Sequence, residues 1–315
     1  MSSIKKKIKL ISGNANEDFS EKIAKELDAD LIQCDVTHFS DGEINVNISE
    51  TVRGMDVYII QPTCSPVNDN LMELLILIDA VKRASAGRIN AVIPYYGYAR
   101  QDRKAKAREP ITAKLVAELL TVAGAQRVAT MDLHAGQIQG FFDIPVDHLT
   151  AIPTMVEHFK DIVTQDTVVV SPDLGGVTRV RNFANLLDLP IAMIEKRRPD
   201  ANVSEVMNVI GDIEDKNVIL VDDIIDTAGT ICKASSVLKK FGAKKVYGCA
   251  THGVLSGPAI KRINESALEK FIITDTIPFE RKSEKEKIEV ISVAPIFAET
   301  IRRINGNRSI SVLFD

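Results

Sequence analysis

The sequence predicts an α/β fold of two similar domains, each a parallel sheet flanked by helices. Three observations predict it. The chain has 315 residues, more than one ordinary core accommodates. Short β-rich runs alternate with helical stretches along its length, the order in which parallel sheets are covered by helices. Residues 127–135 and 217–229 also repeat one theme, a strand, then acid, then a turn of small residues, as two copies of one fold would.

The elements follow from the pattern in order. Strands are predicted over 57–61, 89–94, 127–131, 167–171, 217–221 and 245–250, each an apolar β-forming run. The amino terminus carries Lys5, Lys6, Lys7 and Lys9, but its apolar stretch is short and ends at Ser12, Gly13 and Asn14, so a first strand is expected there instead of a signal peptide. Helices are predicted over 70–86, 112–123, 176–187, 230–241 and 295–305. Asn68, Asp69 and Asn70 offer caps for the first and Gly87 a stop; Pro110 precedes the second and Gly124 follows it; Gly242 follows the fourth. The first helix is apolar almost all round, with Leu74, Leu75, Ile76, Leu77 and Ile78 consecutive, so it is expected to be buried on several sides, within the domain or in a subunit interface. The domain boundary is placed near 145–153, giving domains 1–150 and 151–315.

Composition narrows the function. The chain is 45% hydrophobic and 26% charged, as in globular proteins, and its net charge of −4 gives no field that would draw nucleic acid or an acidic membrane. No run approaches the roughly 18 apolar residues of a spanning helix. Cys34, Cys64, Cys232 and Cys249 form no CxxC pair, which fits reduced thiols in a cytoplasmic protein. A polyanionic ligand must therefore be held by a local site.

The strongest such site runs from Val218 to Thr230. Val218, Ile219, Leu220 and Val221 read as a buried parallel strand, and Asp222 and Asp223 follow at its carboxyl end, where open α/β sheets bind ligands. Asp226, Thr227, Ala228, Gly229 and Thr230 then open a helix. Backbone N–H groups there, with the two threonine hydroxyls, make a cradle for one phosphate, and Gly229 is expected to permit close approach. The carboxylates can accept hydrogen bonds from vicinal sugar hydroxyls, so the ligand read from this segment is a ribose carrying a phosphate.

Three other segments carry complementary chemistry. His134 lies in Asp132-Leu133-His134-Ala135-Gly136-Gln137, after a strand and beside a carboxylate that could orient it. Asp173 stands at another strand end before Gly175 and Gly176; a carboxylate there suits magnesium, which keeps most of its ligands from phosphate and water. Glu195-Lys196-Arg197-Arg198 is a basic burst in a near-neutral chain, and Pro199 and Asn202 argue against a helix, so a mobile lid loop is expected. A lid that supplies cations would neutralise charge developing on a transferring phosphoryl group. Phe39-Ser40-Asp41-Gly42-Glu43 and Tyr98-Ala99-Arg100-Gln101-Asp102 add an aromatic for stacking, acids for an adenine amino group and an arginine for phosphate, although taken alone the first segment reads more simply as a β-turn at Asp41-Gly42.

The 218–230 segment resembles the phosphoribosyl-pyrophosphate loop of phosphoribosyltransferases and ribose-phosphate pyrophosphokinases. The stretch from Asp132 to Phe142 resembles the pyrophosphokinases alone, and the likeness extends over nearly the whole chain, including 108–114 and 309–314. It implies phosphoribosyltransferase-like domains, transfer of a pyrophosphoryl group from ATP to ribose 5-phosphate, and Mg2+ as cofactor. It also implies roles. Lys196 and Arg198 are the catalytic lid residues, and Arg198 also contacts ribose 5-phosphate, which sits on Asp222, Asp223 and residues 226–230. His134 and Asp173 are the metal positions. Phe39, Asp41, Gly42, Glu43, Arg100 and Gln101 bind ATP, the hairpin residues across a subunit interface. The class I branch further implies a homohexamer regulated by phosphate and ADP, with Ser309 and Ser311 near a regulatory anion site.

Overall fold

The computed structural model describes residues 8–197, 206–280 and 287–313. By contact the chain divides into two compact units. One comprises the residues up to Thr150 with Thr276–Pro278 and the segment from Ser292 onward; the other comprises Ala151–Asp275 and Phe279–Ile291.

The first unit opens with β1 (Ile8–Ser12) and α1 (Glu17–Leu27), where the Asn16 carboxamide accepts from the Phe19 N–H at 3.3 Å and caps the helix. A hairpin of β2 (Cys34–His38) and β3 (Ile44–Ile48) follows, then β4 (Asp56–Ile60), α2 (Val67–Arg83), β5 (Arg88–Ile93), α3 (Thr112–Ala123), β6 (Arg127–Met131) and β7 (Val146–Leu149). The main sheet is parallel throughout, in the order β1-β4-β5-β6-β7, and the hairpin forms a separate two-stranded sheet. Every residue of β4 is buried, as expected of a central strand covered on both faces.

Helix α2 departs from expectation. It starts at Val67, earlier than predicted, with no side-chain cap, and Asn70 instead donates to the Cys64 carbonyl at 2.9 Å. Its buried residues, Asn70, Glu73, Leu74, Leu77, Ile78 and Val81, fall on one stripe, while Met72 is 52% exposed. Within this chain that stripe is the most deeply buried, and the helix also packs against α3 and β3, with Leu71 and Leu75 partly buried on the same core. Consecutive apolar residues wrap around a helix, so Leu75 and Ile76 of the run Leu74–Ile78 flank the buried stripe and are only partly covered within this chain.

The second unit runs α4 (Ile152–Phe159), β8 (Thr167–Ser171), α5 (Val177–Asn185), β9 (Ile191–Arg197), β10 (Val206–Ile210), β11 (Asn217–Ile225), α6 (Gly229–Lys240), β12 (Lys245–Gly253), α7 (Ala259–Glu265), β13 (Phe271–Thr274) and β14 (Ile288–Ile291). The sheet order is β10-β9-β8-β11-β12-β13-β14, parallel except for β10, which pairs antiparallel with β9. Parallel sheets flanked by helices are thus the architecture of both units, with one antiparallel edge that the sequence reading did not anticipate.

The last helix, α8 (Ala294–Asn305), belongs by contact to the first unit and not to residues 151–291. Two features dock it there. Phe297 meets Phe19 of α1 edge-on, with ring centroids 5.5 Å apart. At its other end Asn305 donates to the fully buried Asp56 carboxylate at 2.9 Å, which also accepts from Tyr58 and Asn90 and pairs with Arg88; Arg88 donates in turn to the Ile304 carbonyl at 3.1 Å. Burial alone would raise the Asp56 pKa, but these donors hold it below the usual range. A buried charge needs such a complete set of partners, and α8 supplies one of them.

Candidate active site

In the second unit β11 is longer than its sequence suggests. The strand continues through Asp222 and Asp223 to Ile225, pairing Asp222 with Ala250 and Ile224 with His252, so the acids lie on the strand and do not follow it. Its other neighbour stops sooner: β8 pairs with β11 only as far as Val170 opposite Leu220. The acid pair therefore overhangs the end of β8. Into that step comes Arg179 of α5, whose Nη1 is 3.1 Å from Asp223 and 3.8 Å from Asp222. The Asp223 N–H donates to the Asp222 carboxylate at 2.9 Å. Burial, followed by the neighbouring Asp223 charge, raises the pKa of Asp222 well above the ordinary range, and Arg179 offsets only part of this.

Beyond Ile225 the chain turns through Ala228, which holds the left-handed conformation at φ 58°, and α6 begins at Gly229 with no side-chain cap. The residue bearing the backbone strain is thus Ala228 and not Gly229. A Cβ at Gly229 would meet Arg262 Nη1 no closer than 3.7 Å, so nothing within the protein requires glycine there. Arg262 donates to the Thr227 carbonyl at 2.9 Å and braces the turn from behind. An uncapped helix start with Thr227 and Thr230 exposed beside it retains first-turn N–H groups that can serve an anion.

Asp173 closes the same end of the sheet. It follows β8 as an exposed carboxylate, its Oδ1 accepts from the Gly176 N–H at 3.1 Å, and Ser171 Oγ donates to its carbonyl at 2.6 Å. A Cβ at Gly176 would come within 2.9 Å of Ser171 Oγ, so a larger residue there would displace the hydroxyl that bonds the Asp173 carbonyl. Asp173, Arg179, Asp222, Asp223 and residues 226–230 are accordingly gathered at the carboxyl ends of β8 and β11.

The lid expectation needs correction at one point. Lys196 and Arg197 lie on β9, where the backbone of Lys196 pairs with Met207 and that of Arg197 with Val206. Lys196 therefore stands on a strand and not in a free loop, because the antiparallel return through β10 extends the sheet edge past Ile194. Arg198 lies outside the described residues.

In the first unit, Phe39 to Glu43 link β2 to β3, with a turn at Ser40, Asp41 and Gly42 as the sequence suggested. Gly42 donates to the Phe39 carbonyl at 2.9 Å with φ 95°, Glu43 donates to Asp41 Oδ1 at 3.1 Å, and Phe39 is 56% exposed. The turn and a ligand role are compatible, since it presents an aromatic and two acids to solvent. Arg100 and Gln101 line a cavity of about 260 Å³ with Asn68, Tyr95, Gly97 and Tyr98, and Gln101 is held by the Thr112 hydroxyl at 2.5 Å. Gln137 donates to Asp102 at 2.9 Å, tying the turn that carries exposed His134 to this loop. That turn is anchored by buried Ile138, and His148 accepts from the Leu133 N–H at 2.8 Å. Ser309 and Ser311 are exposed with their hydroxyls 2.7 Å apart, and Ser309 borders a cavity of about 440 Å³ with Arg88, Arg127 and Arg308.

The sequence reading passed over Arg179 and Arg262. The position of Arg179 was a usable signal, since a cation in the first turn of a helix opening at Gly176 faces the same sheet end as Asp173. Arg262 left no such signal, because its reach to Thr227 depends on how α7 packs.

Comparison with known proteins identifies the family. Residues 8–124 match the model of the N-terminal domain of ribose phosphate pyrophosphokinase, and residues 201–315 match that of the phosphoribosyl synthetase-associated domain. The ribose-phosphate pyrophosphokinase of Clostridium perfringens is 62% identical, covering 98% of each chain, and that of Caldanaerobacter subterraneus is 60% identical with the same coverage. The chain belongs to the ribose-phosphate pyrophosphokinase family. The crystal structure of phosphoribosylpyrophosphate synthetase from Mycobacterium smegmatis superposes with a TM-score of 0.90 at 45% identity, covering 96% of this chain and 100% of that one. The chain is accordingly a diphosphokinase, and the family's reaction moves the β,γ-pyrophosphoryl group of ATP to the 1-hydroxyl of ribose 5-phosphate, releasing AMP.

Proposed function

We propose that this chain carries out its family's reaction with the acceptor and the donor held by different sets of residues. Ribose 5-phosphate sits at the end of β11. Its phosphate lies on the turn of Asp226, Thr227, Ala228, Gly229 and Thr230, and its ring hydroxyls donate to Asp222 and Asp223. The observation that carries this is the overhang of the acid pair past β8, directly before an uncapped helix start. Arg179 holds the acids in place and tempers their mutual repulsion.

ATP is assigned to Phe39, Asp41, Gly42, Glu43, Arg100 and Gln101. Asp173 and His134 would hold Mg2+ on the triphosphate. The resemblance is what pairs them, and a metal there would neutralise charge on the phosphate oxygens. The ribose 1-hydroxyl attacks the β-phosphorus in line. Lys196, on β9, and Arg198 neutralise the charge that develops there. Orientation and charge neutralisation supply the catalysis, with no dedicated general base.

The resemblance further supports two phosphoribosyltransferase-like domains divided near residue 150, with the segment from Ser292 returned to the first, a cytoplasmic homohexamer, and regulation by phosphate and ADP at Ser309 and Ser311. Among the described residues no helix is long and apolar enough to cross a membrane. The testing experiment measures AMP formed from ATP. AMP that depends on both ribose 5-phosphate and magnesium is the expected result; a nucleobase-dependent reaction without ATP would instead identify a phosphoribosyltransferase.

A further inference from the structure

A buried carboxylate outside the residues assigned above stands at the carboxyl ends of β1 and β4. Glu73 of α2 is 3% exposed. Its Oε1 accepts from the Asn14 N–H at 2.7 Å and from Gln61 Nε2 at 2.8 Å, and its Oε2 accepts from Asn14 Nδ2 at 3.2 Å. Gln61 accepts in turn from the Ala15 N–H at 3.1 Å. The cluster is filled to the limit, since a Cβ on Gly13 would lie 2.3 Å from Gln61 Oε1 and 2.7 Å from Glu73 Oε1. Side chains thus occupy the sheet end at which parallel folds usually bind ligands.

One bond joins the cluster to the hairpin. Asn14 Nδ2 also donates to the Val36 carbonyl of β2 at 3.2 Å. Val36 lies three residues before Phe39, and Glu73 feels the charge of His38 next to it. The same carboxamide therefore joins a rigid buried acid to an otherwise half-exposed hairpin.

We propose that Glu73, acting through Asn14, is a positioning residue for the Phe39–Glu43 hairpin loop and so for the ATP end of the reaction. This rests on the assignment of that loop to ATP. The carboxylate accepts from Asn14 and so fixes which way its carboxamide faces. Asn14→Ala removes the link to Val36. Glu73→Gln keeps the volume and the Oε1 acceptor but sets an NH2 against Asn14 Nδ2, so the carboxamide must turn and Val36 loses its donor.

The test compares Asn14→Ala, Glu73→Gln and Phe39→Ala in the full chain. Steady-state kinetics are paired with hydrogen exchange over residues 34–48. For Asn14→Ala and Glu73→Gln, the KM for ATP should rise about five- to tenfold, as for one lost hydrogen bond. The KM for ribose 5-phosphate and kcat should stay within about twofold, and hairpin amides should exchange faster. Phe39→Ala should raise the ATP KM as well. If Phe39→Ala raises it and the other two leave both it and the exchange unchanged, the positioning role is overturned while the ATP assignment stands. If Phe39→Ala has no effect on ATP, the assignment fails and the inference fails with it. Parallel rises in both Michaelis constants would mark a general scaffold and also overturn it.

Discussion

Arg179→Met is the substitution that most directly probes the acceptor site. It keeps the stem of the side chain and removes the guanidinium beside the acid pair. At 3.1 Å from Asp223 and 3.8 Å from Asp222, the guanidinium attracts each carboxylate by about 5 and about 4 kcal/mol at an effective dielectric of about 20. Desolvation offsets most of this, and removing one partner of a buried pair costs about 3 to 5 kcal/mol net. Arg179 retains 18% of its side-chain exposure and the Asp222 side chain 24%, so about 3 kcal/mol is expected. The pH dependence has a definite sign. Asp222 already holds its proton more tightly folded than unfolded, so its contribution to stability is full at low pH and declines from about pH 4 upward. Without Arg179 its pKa rises further and the decline extends to higher pH. The variant should lie nearest the parent at about pH 4 and fall away towards pH 8. Its KM for ribose 5-phosphate should also be raised, because the acid pair loses the guanidinium that holds it in place. Urea unfolding followed by circular dichroism, with Michaelis constants across the same range, provides the measurement. Equal stability at pH 8, or a pH-independent gap, would refute the electrostatic role given to Arg179.

Other outcomes follow from the same geometry. Lys196→Ala should lower kcat by about a hundredfold or more while ribose 5-phosphate binding stays nearly intact, because its cation serves charge that appears in transfer; unchanged turnover would remove the lid role. Asp222→Asn should raise the KM for ribose 5-phosphate with little change in that for ATP, and a normal constant in steady-state assays would count against the sugar contact. Gly176→Ala should weaken the Asp173 turn, since its Cβ would meet Ser171 Oγ at 2.9 Å, and should be visible as a raised magnesium requirement.

Much of the site was legible because its chemistry is local. The run from Val218 to Thr230 brings strand, acids and phosphate cradle together within a dozen or so consecutive residues, and Asp173 with Gly176 is equally compact. Helix α3 begins and ends where its pattern placed it, at Thr112 and Ala123, because Gly124 and the preceding proline segment punctuate it. Other features depended on partners distant in sequence. The extension of β11 through the acids requires β12 to run alongside, and the strand position of Lys196 requires β10 to return. Helix α2 looked apolar all round, yet only its tertiary packing decides which arc is most deeply buried.

By itself the sequence determined the kind of elements, their order and the ligand class, because periodicity and residue chemistry act over a few neighbouring positions. Tertiary structure alone decided that α8 returns to the first unit, that Arg179 stands between the acids and that Glu73 fills the end of the first sheet. Each of these satisfies or tempers a buried carboxylate. The groups that do so, Asn305, Arg179 and Asn14, lie from about 40 to about 250 positions away from Asp56, Asp222 and Glu73 respectively, beyond the reach of any local pattern.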